Sequence, residues 1–114
     1  MADDHLQVYE ALVYAQKHGI PSALATIIET TGSIPRHAGS KMIVHHDGSF
    51  VGTVGGGAME SLVLASALNV IKTGQAQTET YRLNNLEDGD PSICGVSATI
   101  FIEALAIAPT LLVI

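Results

Sequence analysis

Tryptophan is absent from this chain, and only two phenylalanines and three tyrosines are present, so an interior must be built from aliphatic side chains. There is one cysteine, Cys94, which excludes an internal disulfide and leaves stability to packing. Basic residues are also scarce, five against 11 acidic ones, for a net charge of -6. That balance excludes the basic footprint needed to neutralise a nucleic-acid backbone, and no nucleic-acid partner is expected. No uninterrupted apolar run approaches the roughly 18 residues of a membrane span. The acidic, polar start MADDHLQ does not read as a signal peptide. The expectation is a cytoplasmic protein without a membrane span.

What the chain does contain is 47% hydrophobic and 14% charged residues in 114 positions, which argues for one folded domain. Chains of this size bury roughly 65% of their unfolded surface. Leu6, Tyr9, Leu12, Val13 and Gln16 recur at helical spacing from Asp3 or Asp4 until Gly19, Ile20 and Pro21 end the pattern. Ser22 to Glu29 is β-branched and apolar enough for a buried strand, and Thr30 to Ser40 follows as a long polar loop. Lys41 to His45 reads as a strand, Asp47-Gly48 as a hairpin turn, and Ser49 to Val54 as a third strand.

A second helix is expected from about Ala58 to Lys72. It is apolar nearly all round, so it must be buried against a sheet or another subunit. Thr73-Gly74 stops it, Thr78 to Leu83 reads as a strand, Asn84 to Ser92 as an acidic loop, and Ala98 to Ala106 as a last strand. The expected fold class is α+β: a single mixed or antiparallel sheet of about five strands with two main helices packed on it. The final residues 108–114, APTLLVI, read either as an edge strand or as a linker and first strand opening a further domain, which would place a boundary after residue 107.

The stretch with the most chemical content is Phe50 to Glu60, FVGTVGGGAME. A strand, three glycines and a helix start give free amides and the positive end of a helix dipole, which suit phosphate or carboxylate. Gly55, Gly56 and Gly57 equally suit a tight turn where strand and helix pack closely. The spacing fits neither the P-loop nor the dinucleotide fingerprint. Pro35 stiffens a loop that carries Arg36, with Lys41 five residues on; the two cations either hold an anion or pair with surface carboxylates. Glu60 stabilises the first helical turn, or accepts hydrogen bonds from a heterocycle beside the glycines. Cys94, next to Gly95, is a soft ligand or an inert buried side chain. His45 and His46 are adjacent on a strand and point to opposite faces, so no zinc site is expected. No nucleophile elbow or complete catalytic constellation is present, which argues against an enzyme.

In order, ETTGSIPRHAGSKMIV, DGSFVGTVGGGAMES and SICGVSATIFIEAL resemble the N-terminal domain of the XdhC/CoxI family, maturation factors of molybdenum hydroxylases. The resemblance spans roughly Tyr9 to Leu105. It implies an accessory protein that binds molybdenum cofactor (molybdopterin) as cargo, assists its sulfuration with a cysteine desulfurase, and delivers it to a molybdenum hydroxylase apo-enzyme such as xanthine dehydrogenase. The implied cofactor-binding residues are Pro35, Arg36, Lys41, Gly55, Gly56, Gly57, Glu60, Cys94 and Gly95. Cys94 would be the contact to molybdenum or to a sulfur in transfer.

Two departures accompany the resemblance. Val96 stands where the family's Cys-Gly-Gly motif has its second glycine, and a β-branched residue does not adopt positive φ cheaply. Family members commonly continue into a Rossmann-like domain, of which LLVI resembles the first strand. The alternatives are a fragment of a nucleotide- or NAD-dependent oxidoreductase or transferase, and a dimerisation module without its own ligand. The apolar second helix also leads to the expectation of a homodimer.

Overall fold

The computed structural model describes residues 2–31, 38–54, 57–82 and 97–105. The element order is α1 (Ala2–His18), β1 (Ser22–Thr31), β2 (Lys41–His45), β3 (Phe50–Gly52), α2 (Gly57–Thr73), β4 (Gln77–Arg82) and β5 (Ser97–Ala104). The five strands form one wholly antiparallel sheet in the order β3-β2-β1-β5-β4, which establishes the α+β class.

Strand periodicity sorts the apolar side chains to two faces. Ala23, Ala25 and Ile27 of β1, Met42 and Val44 of β2, and Ala98, Ile100 and Ile102 of β5 form one core with Met59, Val63, Ala67 and Val70 of α2. The sheet accounts for the apolar character of α2, because Leu64, Leu68 and Ile71 also pack against this core. Leu62 alone among its leucines is exposed. On the other face α1 lies over β2 and β3, where Val8 meets Leu24 and Ile43, flanked by Ala11, Leu12, Val51 and Leu105. The helices therefore cover opposite faces, and α1 reaches only one half of its face. The other half is mixed: Thr80 and Thr99 face each other across β4 and β5, their hydroxyls 2.9 Å apart, and Phe101 lies on the same side opposite Thr78.

Several expected boundaries shift. β1 extends through Thr30 and Thr31, which the sequence assigns to the following loop, because both pair with β5 after an irregularity between Ile27 and Glu29. Ile27 itself donates to Ser40 and accepts from Gly39, so the loop's return also lies along β1. The third strand ends at Gly52 instead of Val54, since Gly52 takes a φ of 89° and turns the chain off the sheet. The Asp47-Gly48 turn forms as expected, with Asp47 Oδ1 accepting from the backbone N–H and the hydroxyl of Ser49. These two bonds hold the Asp47 carboxyl below its usual value. The expected boundary after residue 107 lies outside the described residues.

Candidate functional site

The antiparallel register determines which loops meet. Thr31 ends β1 opposite Ser97, which begins β5, and Ser97 lies opposite Arg82, which ends β4. Lys41 begins β2 opposite Thr26 of β1, and Gly52 ends β3 opposite Met42. Thr31, Lys41, Gly52, Arg82 and Ser97 thus all mark the same end of the sheet. The flanks of the Arg36 and Cys94 segments meet at Thr31 and Ser97, whereas Lys41 and Gly52, level with Thr26 and Ala25, stand about five residues, or about 16 Å, back along β1. His45, His46 and the Asp47 turn lie at the other end of the sheet. There the Ser22 hydroxyl donates to the Ile20 carbonyl at 3.1 Å and sits 2.6 Å from His45 Nδ1, so that nitrogen carries the hydrogen between them.

Two contacts organise the motif end. The Thr31 and Ser97 hydroxyls are 2.7 Å apart, tying the start of the Arg36 loop to the exit of the Cys94 loop. The Thr53 hydroxyl donates to Glu60 Oε2, which spans the glycine turn from β3 to the first turn of α2. Glu60 is half-buried and also faces the positive end of the helix dipole. Its ordinary structural role is therefore filled by a definite partner.

Close packing surrounds the same turn. A Cβ on Gly52 would stand 2.5 Å from the Lys41 carbonyl oxygen and 2.6 Å from Val8 Cγ2. Lys41, an expected anion contact, thus has its backbone pressed against the strand that feeds the glycine turn. Gly57 is the first residue of α2. Pro35, Arg36, Gly55, Gly56, Cys94, Gly95 and Val96 lie outside the described residues. Gly52 and Ser97 are separated by three strand spacings across the sheet, about 14 Å, and by about 16 Å along the strands. Among the described residues no three His, Cys, Asp or Glu side chains cluster to hold a metal.

Thr53 was not picked out by the sequence reading, nor was the Thr31–Ser97 pair. Gly52 carried a usable signal, since a glycine inside a strand often marks close backbone approach. The hydroxyl pair carried none, because it joins positions 66 residues apart.

Residues 15–82 match the family described as XdhC and CoxI. The chain belongs to the XdhC and CoxI family. The matched segment takes in the Arg36 loop and the glycine turn and ends before Cys94. Two Escherichia coli K12 relatives extend over nearly all of the chain. The uncharacterized protein YqeB is 31% identical across 96% of the chain, and the molybdenum cofactor insertion chaperone PaoD is 29% identical across 100% of it. Among solved structures, a Bacillus halodurans protein described as a xanthine dehydrogenase superposes with a TM-score of 0.71 at 28% identity, over 86% of the chain. The chain spans only 20% of YqeB, 36% of PaoD and 30% of the Bacillus halodurans chain. No helix among the described residues is long and apolar enough to cross a membrane.

Proposed function

We propose that this chain is a cytoplasmic binding module for molybdenum cofactor, which it holds as cargo and passes to a molybdenum hydroxylase apo-enzyme of the xanthine dehydrogenase type. The observation that carries the reading is that the strand ends flanking three motif-bearing segments all point to the same end of the sheet, joined to family membership and to likeness to a cofactor insertion chaperone.

In this reading the pterin phosphate rests on the amides of Gly55 to Gly57 and the α2 N-terminus, where the helix dipole favours an anion. Arg36 supplies a planar fork and Lys41 a point charge, while Pro35 limits the loop that carries Arg36. Glu60, held by Thr53, offers its second oxygen to amide or amino groups of the pterin. Cys94, beside Gly95, supplies a thiolate to molybdenum or to a sulfur delivered by a cysteine desulfurase. The role is binding and transfer, so the module itself is not an enzyme.

A second reading is favoured by one observation, the name carried by the Bacillus halodurans structure, and would make this chain part of an oxidoreductase. Anaerobic titration with molybdenum cofactor separates the two. Saturable binding, weakened by Arg36→Ala and by Cys94→Ala, supports the chaperone reading. Failure of the purified chain to bind the cofactor, while a version extended to the length of its relatives turns over a purine substrate, overturns it.

A further inference from the structure

The α1 helix is apolar on two sides. Val8, Ala11, Leu12 and Ala15 face the sheet, and on the opposite side Leu6, Tyr9, Val13 and Tyr14 are 55%, 46%, 49% and 57% exposed. Two of the chain's three tyrosines stand on this outer face. Among the described residues, the shallow hollow along it is lined by α1 alone. Four large apolar side chains in adjacent turns form a contiguous patch, the kind of surface that often serves as an interaction site.

Charge on the same face specifies an occupant. Glu10 lies toward the N-terminal half and Lys17 in the last turn. They are seven residues apart, about 10 Å along one helix, too far to pair within it. A second copy of the helix running the other way brings each opposite its counterpart. We infer that a second copy of this chain docks here, α1 against α1 and antiparallel, about a two-fold axis between Val13 and Tyr14.

In that register Glu10 of each copy meets Lys17 of the other, Val13 meets Tyr14, and Tyr9 meets His18. Leu6 reaches the turn at Gly19 to Pro21. The seam Glu10, Val13, Tyr14 and Lys17 follows the i, i+3, i+4, i+7 spacing of helix packing, with apolar pairs at the centre and ion pairs at the ends. A contact limited to one helix pair buries less than the roughly 1,200 Å² of a standard interface, which corresponds to a weak, concentration-dependent dimer.

The test is sedimentation equilibrium of the whole chain from about 5 to 500 µM, with far-UV circular dichroism to establish that each variant keeps its fold. All the substitutions are at exposed positions. The expected result is a concentration-dependent dimer that Val13→Asp abolishes, that Glu10→Lys or Lys17→Glu alone weakens about tenfold, and that the double charge swap restores. Recovery in the swap is specific to this register, since it requires residue 10 of one copy to face residue 17 of the other. A wild-type chain that stays monomeric throughout overturns the inference and leaves the face to a different protein. So does a dimer indifferent to Val13→Asp, or a double swap no better than the single changes.

Discussion

Thr31 Oγ1 and Ser97 Oγ lie 2.7 Å apart and join the last residue of β1 to the first residue of β5, across 66 positions of sequence. Ser97 is buried, and the pair sits where the flanks of the Arg36 and Cys94 loops meet. Replacing Ser97 with alanine removes one partner of the Thr31 hydroxyl and is expected to cost about 1 to 2 kcal/mol, read as a lowered urea midpoint with an unchanged m-value. The double variant Thr31→Val, Ser97→Ala should cost less than the sum of the single changes, because the two positions share the interaction.

Gly52 and Gly48 offer a matched comparison, with φ values of 89° and 91°. A Cβ at Gly48 meets open space, whereas one at Gly52 collides with the Lys41 carbonyl and Val8. Gly48→Ala should cost about 1 kcal/mol from backbone strain alone. Gly52→Ala adds a steric clash with backbone and should cost more than about 3 kcal/mol, seen as a much lower Tm or failure to accumulate as folded protein. Equal effects at the two sites would show that the close approach at Gly52 is not rigid.

How far the sequence carried the fold differs from element to element. The strands were legible because β-branched runs are bounded by Gly, Pro and Asp, and the Asp47-Gly48 turn formed where its chemistry placed it. The α1 helix was legible, but which side faces inward was not. Of the periodic set Leu6, Tyr9, Leu12, Val13 and Gln16 only Leu12 packs inward, where the sheet is met by Val8, Ala11, Leu12 and Ala15. Two small alanines let the helix lie close to β2 and β3, so the bulkier stripe points away. Strand order depends on pairings between distant segments and leaves no local mark. For the candidate site, charge and position single out Lys41 and Glu60 only as expectations, and Thr53, the partner of Glu60, is an ordinary residue until the fold brings the two together.

The Thr53–Glu60 contact separates hydrogen bonding from charge at the start of α2. Glu60→Gln keeps an acceptor for Thr53 and removes the charge near the helix dipole, with an expected cost of about 0.3 to 1 kcal/mol that shrinks in high salt. Glu60→Ala loses the hydrogen bond as well and should cost about 1 kcal/mol more, largely independent of salt. Thermal melts at low and high ionic strength distinguish the two contributions.

Tyr81 should govern alkaline stability. Its side chain is buried and its hydroxyl donates to Ser66 Oγ at 2.9 Å. Burial pushes its pKa above the ordinary 10.0, with the Ser66 bond opposing and the Glu79 charge adding to the rise. The folded chain therefore keeps this proton after the unfolded chain has lost it. The stabilisation is complete below pH 10 and is lost as pH rises through the higher folded value. Tyr81→Phe should cost about 1 kcal/mol at neutral pH by leaving Ser66 without this bond, and should flatten the decline in stability above pH 10, measured by urea unfolding across pH 8 to 11.

The pairing of β1 with β5 at the centre of the sheet also dictates an order of events as the chain is made. Strands β1, β2 and β3 are neighbours in sequence and can pair early through short connections, but β4 has no place until β5 exists to receive it. During synthesis β1 therefore presents an unpaired apolar edge until residues near 104 are available to cover it. Closing so long a loop is slow compared with forming the first hairpin, so the interval favours mispairing with other nascent chains. A chain interrupted between β4 and β5 would keep that edge permanently and should aggregate even though most of its residues are present.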